Sequence, residues 1–130
     1  MITTILRRRI IGKHEVPYER QYLTFEALEP GTFQFTNDVD YSLDGKTWTT
    51  LTASTDSPTL NTGDTIRWRA TLVPNSTSGI GNFSSTCNYN VFGNPLSLRL
   101  GDNFKGIKVL PNNTYLFYRL FYNNDKLINA

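Results

Sequence analysis

Apolar and polar residues alternate most regularly in Thr65 to Leu72, TIRWRATL. Ile66, Trp68, Ala70 and Leu72 fall on one face, and Thr65, Arg67, Arg69 and Thr71 on the other. A period of two marks a strand with one side in a core and the other in water, the pattern of an antiparallel sheet with one solvated face. The same alternation recurs in Leu23 to Leu28 and in Thr32 to Thr36, on either side of Glu29-Pro30-Gly31. Those turn residues predict a hairpin between the two runs. A second hairpin is predicted over Val39 to Leu51, where VDYSL and TWTTL flank Asp44-Gly45. Gly adopts positive φ without a steric penalty and Asp tolerates it, so this pair is a strong hairpin signal.

Further along, Ser57 to Thr65 reads as a short edge segment with a turn at Asn61 to Asp64. Val73 to Thr86 reads as a long surface loop anchored by Ile80 and Phe83. Cys87 to Phe92 and Leu96 to Leu100 read as two strands around Gly93-Asn94-Pro95. The period changes near the end. Leu116, Phe117, Leu120 and Phe121 form a helical stripe behind Thr114 as N-cap, so one short helix is expected over Thr114 to Asn123 and none elsewhere. Ile2 to Ile11 holds neither period and is interrupted by Arg7, Arg8 and Arg9. Val16-Pro17 disfavours helix and suggests a joint. The expected architecture is all-β, mainly an antiparallel β-sandwich over residues 22–130 with one short C-terminal helix, preceded by an extended arm, residues 1–21.

Composition sharpens this picture. The chain has 130 residues, enough for one domain with a single core. Thr, Asn, Ser and aromatics outnumber the best helix formers, which favours strands and turns. A net charge of +2 gives no concentrated basic face, so nucleic acid is not an expected partner. No apolar run approaches the roughly 18–20 residues that span a bilayer, so no membrane partner is expected either. The single cysteine, Cys87, rules out an intrachain disulfide and a zinc cluster. If Met1 is the natural start, the broken apolar stretch MITTILRRRIIGKHEV does not read as a secretory signal.

Candidate chemistry is sparse. Ser42 to Trp48, SLDGKTW, is similar to a shortened Asp-box, a hairpin in which the Asp accepts backbone N–H groups and the Trp packs behind the turn. Asp-boxes are structural and carry no implication of sialidase activity. Asp38, Asp40 and Asp44 lack the spacing and closing Glu of an EF-hand calcium site, so no metal is expected. Tyr41 and Trp48 could pair across their hairpin and offer a glycan-stacking platform, whereas Trp68 belongs to a core face. His14 and Cys87 have no neighbouring partners, and Gly79-Ile80-Gly81 lacks the strand-to-helix context of a phosphate loop. Asn75, Asn82 and Asn112 match a glycosylation pattern that means little in a Ser/Thr-rich chain. No enzyme and no cofactor are expected.

The runs YLTFEALEPGTFQF, DYSLDGKTWTTLTA, TGDTIRWRA, GIGNFSST, NVFGNPLSLRLGDNF and YLFYRLFYNNDKLINA together resemble a family of β-rich modules. These occur in surface and phage-associated proteins of gut Bacteroidetes, often before leucine-rich repeats of the BspA type. The likeness covers Tyr22 to Ala130, and LFYRLFYNNDKLINA resembles the start of such repeats. The resemblance implies a non-enzymatic bacteriophage virion protein, a capsid decoration, fibre or tail component assembled in the host cytoplasm. The arm, Met1 to Arg20, falls outside the likeness; its own mix of apolar side chains and arginines makes Ile2, Ile5, Leu6, Arg7, Arg8, Arg9, Ile10 and Ile11 the expected attachment surface. Phe117, Tyr118, Phe121 and Tyr122 would offer a second interface, to a neighbouring copy or a capsid or tail partner. The alternative is a module on the bacterial cell surface that binds a glycan or mediates adhesion, with Tyr41 and Trp48 as the sugar contacts.

Overall fold

The computed structural model describes residues 21–74, 79–106, 120–121 and 124–129. Eight strands and one short helix follow in order: β1 (Leu23–Ala27), β2 (Phe33–Phe35), β3 (Val39–Ser42), β4 (Thr49–Leu51), β5 (Thr65–Arg69), β6 (Phe83–Ser85), β7 (Tyr89–Phe92), α1 (Ser97–Leu100) and β8 (Leu127–Asn129). A 3₁₀ turn, Gly101–Gly106, continues α1. Six strands form one sheet in the order β4-β3-β5-β1-β7-β8, and β2 and β6 form a second. All pairings are antiparallel except β7 with β8. The all-β, sandwich-like architecture expected from alternation is therefore present.

The alternation explains which face is covered. Leu23, Phe25, Ile66, Trp68 and Val39 point inward from β1, β5 and β3, and each is at least 98% buried. Phe33, Phe35 and Phe83 on the small sheet meet them. The Phe25 ring lies 5.2 Å from Phe33, 4.7 Å from Phe83, 5.5 Å from Trp68 and 4.9 Å from Tyr89. Tilted and edge-on rings of this kind satisfy the quadrupole preference while filling space. The core is thus an aromatic layer between two sheets, centred on β1.

Four sequence expectations change. β1 and β2 do not form a hairpin. Both edges of β1 are taken, by β5 and β7, so β2 has no free ladder to join and pairs with β6 instead. The Pro30-Gly31 corner carries the chain from one layer to the other, and Gly31 bridges to Leu60. An added Cβ at Gly31 would overlap Cys87, so the corner is closed against any larger residue. β6 occupies part of the stretch expected as a loop, while Ile80 and Phe83 are buried as its anchors.

β5 ends at Arg69, short of Leu72, because Ala70 and Leu72 donate their N–H groups to Ser97 and Leu98. Leu96 to Leu100 is helical, not extended. Alternating leucines over five residues do not distinguish a strand from one helical turn. Asn94 Oδ1 accepts from Leu96 N at 2.9 Å, and Pro95, which suits the first turn of a helix, stands just before it. The helix expected over Thr114 to Asn123 falls mostly outside the described residues. Leu120 and Phe121 stand in a turn, and Cys87 lies in the bend before β7.

Candidate functional site

The hairpin β3–β4 forms in the expected place, with Val39 opposite Leu51 and Tyr41 opposite Thr49. Its turn behaves as the Asp-box comparison implies. Asp44 Oδ1 accepts from Lys46 N and Thr47 N, both at 2.8 Å, and its Oδ2 accepts from the Thr47 hydroxyl at 2.9 Å. These donors hold its carboxyl well below the usual carboxylate range. Gly45 takes φ 78°, the dihedral for which the pair was singled out.

Register separates the two proposed sugar contacts. Tyr41 lies opposite Trp68 and packs on the core side of the sheet. Trp48 is one residue off the Tyr41–Thr49 pair and meets residues of the outer face. The structure therefore does not assemble a Tyr41–Trp48 platform, because successive side chains of a strand point to opposite faces.

Trp48 belongs instead to an outer-face cluster built on Arg69. The guanidinium lies over the Trp48 ring, 4.3 Å from its centroid. Its Nε donates to Asp40 at 3.2 Å, and its Nη1 donates to Asp102 Oδ1 at 3.0 Å. Tyr22 donates its hydroxyl to the same Asp102 oxygen at 2.6 Å and packs its ring 4.8 Å from Trp48 and 5.0 Å from buried Phe104. Lys105 Nζ lies 4.7 Å from the Tyr22 ring centroid. Burial and the bond to Asp102 push the Tyr22 phenol up to about 12. The bond from Tyr22, followed by Arg69, lowers the Asp102 carboxyl despite some desolvation. Partial burial opposes the charge on Arg69, but the two carboxylates outweigh it and raise its pKa.

Alternation placed Arg67 and Arg69 on the solvent face, but nothing local named Asp102, which meets Tyr22 from 80 positions away. The three aspartates weighed for calcium all have protein donors. Asp38 accepts from Ala53 N at 2.8 Å, Asp40 from Thr50 and Arg69, and Asp44 from its turn. Among the described residues no group of His, Cys, Asp or Glu is placed to hold a metal, and no helix is long and apolar enough to cross a membrane. Cys87 is free and buried.

Phe121 is half-buried against Phe25 and Phe83, with ring centroids 6.0 Å from each, so part of it belongs to the core. Ile2, Ile5, Leu6, Arg7, Arg8, Arg9, Ile10, Ile11, Phe117, Tyr118 and Tyr122 lie outside the described residues, as does His14.

Two open grooves cross the outer face. One, of about 450 Å³, runs between the β3–β5 end and α1, with Asp38, Asp40, Arg69 and Asp102 along it. The other, of about 620 Å³, runs from the Asp44–Lys46 turn over Arg67 and Thr24 to Phe92 and Lys105. The fold and this face define a β-sandwich module whose large sheet turns a polar, cationic and aromatic surface outward. No family model, no curated protein and no solved structure matches the chain.

Proposed function

We propose that this chain is a non-enzymatic structural protein of a phage particle, held through Ile2 to Ile11 and displaying the sandwich outward. The observation that supports this reading is the make-up of the segment Ile2 to Ile11, which sets five apolar side chains beside three arginines. The described residues from Leu23 onward pack a core among themselves. A segment that pairs apolar isoleucines with arginines suits docking on a partner surface, where arginine is favoured over lysine.

Deleting Met1 to Gly12 tests the reading. The truncated protein should melt as a folded β protein yet fail to co-sediment with intact particles that incorporate the full chain. Normal incorporation of the truncated chain would refute attachment through the arm, and recovery of the full chain in a cell envelope would favour the second reading. That second reading, a cell-surface module that binds glycans, draws support from the half-exposed Trp48 indole and the groove beside it.

A further inference from the structure

Arg67 and Arg69 share the outer face of β5, two residues apart, yet their surroundings differ. Arg69 is held by Asp40 and Asp102. Among the described residues Arg67 makes no ion pair, and its guanidinium donates no hydrogen bond. It is half-buried between Thr24 on β1 and Ser42 on β3. Its guanidinium packs against the bare backbone of Gly45, where an added Cβ would lie 3.3 Å from Cζ.

Around it, Lys46 and Lys105 bring two more cations to the same groove, and Thr65 brings a hydroxyl. The groove's carboxylate, Asp44, is occupied by its own turn. Across the sheet, Glu26 Oε1 faces Asn90 Nδ2 at 3.4 Å. A guanidinium with five donors and no acceptor is a ready receptor for a planar or tetrahedral oxyanion.

We propose that this groove binds an acidic sugar unit, carboxylated or sulfated, with Arg67 taking the anionic group and Lys46 and Lys105 closing around it. A volume of about 620 Å³ lies in the range of small-ligand sites. A peptide cannot add here as an extra strand, because the strands under the groove, β5, β1 and β7, are paired on both sides. Recognition here falls to side chains alone, which suits a short ligand rich in hydroxyls. Three cations without a longer basic stripe are too few for a nucleic-acid backbone. The inference rests on the chain being a displayed binding module, wherever it is carried.

Titration calorimetry with the full chain tests it, using an oligogalacturonate, a sulfated galactan oligosaccharide, a neutral galactan of equal length and a polyglutamate peptide. One or both acidic sugars should bind, their comparison separating carboxylate from sulfate, and the neutral sugar and the peptide should not. Arg67→Gln should weaken the binding by roughly tenfold or more. The double variant Lys46→Gln/Lys105→Gln, at exposed positions, should weaken it as well and covers the case in which Arg67→Gln does not fold. No binding by either acidic sugar, equal binding by polyglutamate, or affinity unmoved in the folded variants would overturn the proposal. Particle incorporation, which the arm deletion reads, does not depend on these residues, so the two ideas fail separately.

Discussion

Asp44 shows how much one side chain does in this fold. It satisfies two backbone donors and a hydroxyl within four residues, and Ser42 Oγ, which donates to it at 3.1 Å, also accepts from Gly45 N at 2.8 Å. The turn is therefore a closed set of bonds around one carboxylate. Both Asp44 and Asp102 have carboxyls lowered from 3.8 in the folded chain. A group lowered on folding stabilises the native state above its unfolded value and loses that contribution as pH falls through the folded one. The melting temperature should hold steady at mildly acidic pH and drop progressively below about pH 4. Asp44→Asn should make that drop shallower, because its amide oxygen can still accept from Lys46 and Thr47 but no longer titrates. A melting curve of the variant as steep in acid as that of the parent would show that Asp44 is not among the groups responsible.

Elements follow from such local bonds only when a neighbour is free to receive them. α1 is a single turn, too short to hold by itself. It is held by Ser97, fully buried, whose hydroxyl donates to Trp68 O at 2.8 Å and accepts from Leu23 N at 3.0 Å. Ser97→Ala leaves both backbone groups of β1 and β5 without that partner. The expected cost is about 1–3 kcal/mol in urea unfolding, and a loss under half a kcal/mol would mean that water replaces the hydroxyl. β5 and the β3–β4 hairpin were legible because strict alternation and an Asp-Gly turn are local facts. The crossing of β1 to the other layer was not, since it depends on β7 having taken the second edge of β1. The helical turn at Ser97 was masked by three alternating leucines, although Pro95 pointed to it. For the candidate site, alternation placed both arginines on the outer face, yet which one would find carboxylates depended on Asp102, brought in by the 3₁₀ turn after α1.

At the scale of the whole molecule, the position of β1 carries the most weight. It is the first described strand, it lies between β5 and β7 in the large sheet, and Gln21 just before it accepts from Asn94 N at 2.8 Å. If the chain is moored through its arm and loaded by a ligand held near Arg67, the tension runs along β1 against β5. The register pairs from Leu23–Trp68 to Glu26–Thr65 then bear the load together and resist as a shear joint, not a zipper. Single-molecule pulling between residue 21 and a handle at Thr65, at the opposite end of the β1–β5 pair, should give higher rupture forces than pulling across the edge pair β3–β4, whose bonds open one at a time. Equal forces in the two geometries would deny β1 this mechanical role. For a displayed module, having the tether lead into a central strand means that a pull on the ligand is met by the middle of the sheet.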